Sequence, residues 1–282
     1  MTENPEGPYP FIVIITFLFF AATLVYYLIA YIDSPFVKKN LKKYLLPRKL
    51  KKIYLPYLRH NFPLYNALDD KNKVLFQRRV QKFIDMKQFI PRGGITEITP
   101  EMKALIAGSA IQLTIGYPYI YFKHFWRILI YPDNYYSTIT KKYHKGEVNL
   151  RGIIVISWKS FKEGFRCHAD GNHLGFHEMA HALRLNNIVE NPEYNFYDRR
   201  VMKAFDMEAR KEIAKIRHSN NGTSLFREYA GTNKDEFFAV AAEVFFEQPK
   251  DFKNYNPHLY LLMTKILKID PIELARTGKL KR

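Results

Sequence analysis

His177-Glu178-Met179-Ala180-His181 is the stretch on which the reading of this 282-residue chain turns. On a helix, residues four apart share a face, so two imidazoles at this spacing can hold one metal ion between them. The pattern is that of zinc hydrolases. Glu178, beside the first histidine, projects toward the position a metal leaves open, where a carboxylate can take a proton from water. The flanks agree with a helix over about residues 172–186: Asp170-Gly171-Asn172 supplies capping residues, and Asn186-Asn187 can accept the turn that ends it. Leu174, His177, His181 and Leu185 fall on one stripe and Phe176, Ala180 and Leu183 on another, which implies a largely buried helix. An unpaired carboxylate is costly there, and a metal with its water gives Glu178 a reason to be present.

Zinc needs a third protein ligand. The segment 229–247 offers one, with Thr232 and Asp235 reading as the capped, acidic start of a helix that is apolar over most of its surface. Glu236 and Glu243, two turns apart, interrupt that surface on one side. One of them can ligate while the other hydrogen-bonds a ligand histidine, and spacing alone leaves the choice open. Asp206, Glu208 and Glu212 are rivals, although their alternation with lysines and arginines reads as an exposed charged face. His168 and His173 precede the motif without a spacing that closes a ligand set; His173, one turn from His177, is placed to reach substrate. The single cysteine, Cys167, excludes an intramolecular disulfide and a cysteine-rich zinc module, and agrees with a reducing compartment.

These residues carry a resemblance. Ile153-Ile-Val-Ile-Ser-Trp158, His177-Glu-Met-Ala-His181, Tyr229-Ala-Gly-Thr-Asn-Lys-Asp-Glu236-Phe-Phe-Ala-Val and Glu243-Val-Phe-Phe-Glu-Gln-Pro249 occur in that order, with weaker echoes at 93–102 and 129–132. Over roughly residues 60–270 the chain resembles the Mlc titration factor A family of zinc metallopeptidases, whose metal site is similar to that of the anthrax lethal factor catalytic domain. The resemblance implies one zinc ion held by His177, His181 and Glu236, with Glu178 as general base and Tyr229 stabilising the oxyanion. It also implies a possible regulatory protein as partner, since the titration factor is named for binding a transcriptional repressor.

Two places depart from the family. Arg184 stands three residues after the second histidine, where the family leads one to expect aspartate; an arginine cannot orient a ligand imidazole as a carboxylate does. The other departure is the uncharged run 11–32, FIVIITFLFFAATLVYYLIAYI. At about 1.5 Å per residue it would extend roughly 33 Å, which predicts a transmembrane anchor. A cleaved signal peptide fits less well, because Glu3 and Glu6 make an acidic start and no small-x-small site follows. Lys38, Lys39, Lys42, Lys43, Arg48, Lys49, Lys51 and Lys52 follow the run, which predicts an N-terminus outside, a cytoplasmic catalytic domain and contact with anionic membrane lipid. The formal charge of +17 also admits nucleic acid, but no recognition motif accompanies it.

The expected fold is α+β, a helix-rich zincin-like domain with a small sheet, preceded by one transmembrane helix. The expected divisions are a tail over 1–10, an anchor over 11–32, a basic linker over 33–59 and a metallopeptidase-like domain over 60–282. Residues 71–89 and 100–116 read as helices, the second with Thr99 as cap and Pro100 as first helical residue. Residues 126–131 and 152–156 read as strands, the second buried on both faces. Residues 186–198 and 219–224 read as loops. The expected function is membrane-anchored, zinc-dependent hydrolysis of a peptide or protein substrate lying along the sheet edge. The alternative is a membrane-tethered module that sequesters a transcriptional regulator, with little or no peptidase activity.

Overall fold

Alternation of buried and half-buried residues along Arg-Ile-Leu-Ile-Tyr, and an almost wholly buried Ile-Ile-Val-Ile-Ser, put these two segments at the centre of a sheet. The computed structural model describes residues 9–33, 48–137, 141–166, 170–218 and 224–280, with side chains for all of these except 9–11 and 28–33. The expectations for Lys38 to Lys43, Cys167, His168 and most of the 219–224 loop lie outside the described residues. The chain divides into two compact units, Met1–Arg48 and Lys49–Arg282.

In the second unit the strands are β1 (Gln88–Pro91), β2 (Arg127–Tyr131), β3 (Tyr135–Ser137), β4 (Lys142–His144), β5 (Gly146–Asn149) and β6 (Ile153–Ser157). One sheet has the order β1-β2-β6-β5, parallel except for the antiparallel pairing of β5 with β6, in which Gly146 faces Ile156. β5 is therefore an edge. A separate β3-β4 hairpin brings Tyr135 opposite His144. The helix-rich α+β expectation agrees with this architecture.

Of the helices, α1 is Tyr9–Asp33, and α2 (Leu55–Asn61) and α3 (Pro63–Ala67) follow a short 3-10 turn. α4 (Asp70–Met86) is capped by Asp69, whose carboxylate accepts from Asn72 N at 2.8 Å. It ends before the predicted limit because Gln88 and Phe89 belong to β1, with Phe89 paired to Ile128 of β2. α5 (Pro100–Thr114) starts as expected, with Thr99 Oγ1 accepting from Met102 N. It is buried almost all round and packs on α4 and on α7 (Leu174–Ile188), with α6 (Trp158–Glu163) between β6 and α7.

α8 (Arg199–His218) is amphipathic; α9 (Lys234–Glu247) is not, and it lies against α7, α8 and α11 (Pro257–Leu267). α10 (Pro249–Tyr255), α11 and α12 (Pro271–Thr277) each begin with proline, where the missing N–H costs nothing. Gly278, at φ +68°, ends α12, and its carbonyl accepts from Asp69 N and Asn72 Nδ2. That closure ties the end of the fold to the start of α4.

α1, in the first unit, corrects one expectation. Its described side chains cover residues 12–27, nearly all exposed, with Thr16 and Thr23 hydroxyls donating to the carbonyls of Ile12 and Phe19. Among the described residues no helix is long and apolar enough to cross a membrane. The expected transmembrane anchor, and with it the cell-membrane localisation with an outside N-terminus and cytoplasmic catalytic domain, does not hold.

Candidate metal centre

α7 carries the motif, and its start differs from the expected one. The cap is His173, whose Nδ1 accepts from Phe176 N at 3.3 Å. Asp170 and Asn172 do not cap it. His173 is buried between the Phe165 and Phe176 rings, so it supports the helix and does not line the cleft. The helix continues to Ile188, two residues past the expected stop. Phe176, Met179, Ala180 and Leu183 enter the core, and the turn-by-turn offset leaves His177, Glu178 and His181 on the side facing β5 and the start of α9.

α9 is capped by Asn233, whose Oδ1 accepts from Asp235 N and Glu236 N at 2.8 and 2.9 Å; Thr232 lies outside the helix. This fixes Glu236 in the first turn. Its Oε2 lies 3.1 Å from His177 Nε2 and 3.2 Å from His181 Nε2, and the two Nε2 atoms are 3.1 Å apart. Two imidazole nitrogens and a carboxylate oxygen thus form a nearly equilateral triangle, and the three residues could hold a metal ion. Glu243 does not join it.

Glu243, with no exposed surface, serves the other ring nitrogen of His177: its Oε1 lies 2.7 Å from Nδ1. The same carboxylate accepts from Arg227 Nη2 at 2.6 Å, Arg227 Nη1 at 2.9 Å and the His173 backbone N–H. Such a carboxylate fixes the proton on Nδ1 and turns Nε2 toward the triangle. Arg227 is held in turn by Asn172 Oδ1 and the Gly171 carbonyl. Burial disfavours a charged His177, but the hydrogen bonds with Glu236 and Glu243 outweigh it and push its pKa up to about 10. Glu236 is correspondingly held below the usual carboxylate range: burial opposes this, and the two histidines prevail. The site is built to stabilise positive charge at the triangle.

Glu178 is buried, and burial raises its pKa; Glu236 and Glu243 add to the rise while His177 and His181 oppose it. It packs against Gly146 at the start of β5 so closely that a Cβ there would fall 2.2 Å from its Oε1. Tyr229, in the 3-10 turn Glu228–Gly231, is 51% exposed, with its ring centroid 5.9 Å from that of His177. Partial burial and the neighbouring Glu236 push its pKa up to about 12, so the phenol keeps its proton.

A cleft runs past these groups along β5. Tyr143, Lys145, Ser160 and Asn172 line one end and Val148, Leu185, Ile188 and Asn233 the other, with His144, Gly146, Glu178 and Tyr229 common to both. The rival acids lie elsewhere. Glu208 pairs with Lys211 at 2.7 Å, and Asp206 lies 4.0 Å from Arg184. Glu212 is buried rather than exposed, accepting from Tyr255 Oη, Asn256 Nδ2 and Lys215 Nζ. Arg227, His144 and Gly146 were not legible in the sequence, since no short-range pattern links them to the motif.

The model of the glucose-regulated metallo-peptidase M90 family matches residues 37–268. Among curated proteins, the chain is 25% identical over 248 residues to the Synechocystis protein slr2042, covering 82% of this chain and 89% of that one. It is 26% identical over 242 residues to Mlc titration factor A of Edwardsiella ictaluri, covering 77% and 88% respectively. For Mlc titration factor A of Yersinia enterocolitica the identity is 23% over 231 residues, covering 75% and 84%. With the family model matched over most of its length, this chain belongs to the glucose-regulated metallo-peptidase M90 family.

Proposed function

We propose that the protein is a zinc-dependent peptidase, with His177, His181 and Glu236 as metal ligands, Glu178 as general base and Tyr229 as oxyanion donor. The observation that carries this is the triangle of donor atoms with edges of 3.1, 3.1 and 3.2 Å. Tetrahedral zinc with bonds of about 2.0–2.1 Å needs donors roughly 3.3 Å apart, so the residues present fit the ion. Two imidazole nitrogens and a carboxylate oxygen converge there, a mixed nitrogen and oxygen set of the kind that would hold zinc.

Zinc, when bound, supplies the Lewis acidity that acidifies a water and polarises a carbonyl. Glu178 takes the proton of the attacking water, a step its raised affinity for protons favours, and delivers it to the leaving amine. Tyr229, protonated at neutral pH, donates a hydrogen bond to the oxyanion that develops at the scissile carbonyl. The free edge of β5 aligns an extended peptide beside these groups, and Gly146 lets the strand come close to Glu178.

The name titration factor borne by several relatives favours a second reading, a module that captures a regulatory protein with little or no hydrolysis. One experiment separates the two. The full chain is assayed for zinc content, for hydrolysis of a peptide library, and for capture of the regulator, beside Glu178→Gln. For a peptidase, Glu178→Gln retains zinc while turnover falls at least about 10²-fold. Absence of hydrolysis by zinc-loaded wild type, with capture intact in both proteins, would establish the second reading instead.

A further inference from the structure

Arg184 occupies the position where an aspartate was expected, and the structure gives its guanidinium a specific task. It sits on α7 three residues after His181, so the two side chains are neighbours on the helix surface. Its Nε donates to Asp235 Oδ1 at 2.9 Å, and Asp235 directly precedes Glu236 in the first turn of α9. The guanidinium carbon stands 5.2 Å over the Phe238 ring, two residues beyond Glu236, and Nη1 is 4.0 Å from Asp206. Two carboxylates share the positive charge and an aromatic face covers the plane. The guanidinium also borders the cleft, and its Nη1 has no hydrogen-bond partner among the described residues.

We propose that Arg184 and Asp235 form a clamp that positions Glu236 for metal binding, locking the first turn of α9 to the helix that supplies both histidines. First turns lack half of their intrahelical hydrogen bonds and fray readily, and Asn233 restrains only the backbone N–H groups of this one. The clamp adds a link between the helices one residue away from the ligand on α9 and one turn away on α7. Glu243 orients His177 from one side, and Arg184 restrains Glu236 from the other. Arg184 is a positioning residue, acting on Glu236 through Asp235.

The proposal rests on the metal reading above, and zinc affinity tests it without recourse to activity. Zinc dissociation constants of the full chain are measured by chelator competition for wild type, Arg184→Ala, Asp235→Asn and the double variant, with thermal unfolding in excess zinc to compare folding. Both single variants are expected to weaken zinc about tenfold, as loss of a group supporting a ligand does. The double variant is expected to be no weaker than Arg184→Ala, because one contact is lost in all three. Asp235→Asn changes a side chain that is 65% exposed, so it keeps the test valid if Arg184→Ala folds poorly. Unchanged affinity in Asp235→Asn, or independent and additive losses in the double variant, overturns the clamp while leaving the metal reading intact. A wild-type chain that binds no zinc overturns the metal reading and the clamp together.

Discussion

Glu236 and Glu243 on α9 have different partner sets, and the difference predicts their phenotypes. Glu236→Ala removes a corner of the donor triangle, so stoichiometric zinc should be lost on dialysis against metal-free buffer. Glu243→Gln keeps an acceptor near His177 Nδ1 but leaves Arg227 without its charge partner. Zinc should then bind one to one at saturation, with affinity lowered about 10- to 100-fold; metal analysis and chelator titration read both, and equal losses in the two variants would sink the distinction. Tyr229→Phe should preserve zinc and slow peptide turnover by a factor equivalent to about 2.7–4 kcal/mol, the scale for one oxyanion donor. Undiminished turnover in that variant would reduce Tyr229 to packing. The histidines and Glu178 were legible because their spacing is local to one helix. Which glutamate meets His177 Nε2 and which meets Nδ1 was not, since both lie on the same side of α9 and only the packing of α9 on α7 separates them.

At the level of elements, sequence reading left out β1, β3, β4 and β5, and of these β5 bears most on the site. Its four residues, Gly146–Asn149, give no recognisable strand signal, yet they form the edge that walls the cleft. Gly146 has ordinary backbone torsions; what it lacks is a Cβ, which would sit 2.4 Å from Glu178 Cδ. Gly146→Ala must therefore push β5 away from α7 or displace the carboxylate. Peptide hydrolysis should fall while zinc content stays at wild-type level, because the three atoms nearest the added methyl all belong to Glu178. Wild-type turnover in Gly146→Ala would mean that Glu178 has more freedom than its packing implies. The strands at 127–131 and 153–157 were foreseen, their runs of isoleucine being long enough to read. The shift of the α7 cap from 170–172 to His173 was not, because Arg227, more than fifty residues away, engages Asn172.

Across the whole molecule, stability should carry a pH signature from a site remote from the cleft. Lys87, between α4 and β1, is buried over the Phe83 ring and donates to the Phe122 carbonyl. Burial pushes its pKa down to about 7, with Glu193 opposing. Its unfolded value is 10.5, so between about pH 7 and 10.5 the unfolded chain binds more protons than the folded one, and stability from this group rises with pH. The cost of the buried charge is fully present below about pH 7. Lys87→Met should flatten this slope: the gain in urea-unfolding stability from pH 7 to pH 9 should be larger in wild type than in the variant. The Phe122 carbonyl still accepts from Phe125 N after the change. Identical slopes would show that Lys87 is solvated in the folded state.

The chain by itself determined what depends on near neighbours: two helical histidines and an intervening glutamate, a capped helix at Thr99, two isoleucine-rich strands and a helix-rich α+β composition. Tertiary structure decided what depends on distant segments meeting. It chose Glu236 as the third corner of the triangle and gave Glu243 to Nδ1 of His177 and to Arg227. It set the short strand at 146–149 against Glu178, and turned Arg184 from an apparent misfit into a partner of Asp235. The physical reason is range. Helical periodicity and capping are set within a few residues, whereas the approach of side chains across a core follows from how whole elements pack, which short-range pattern does not encode.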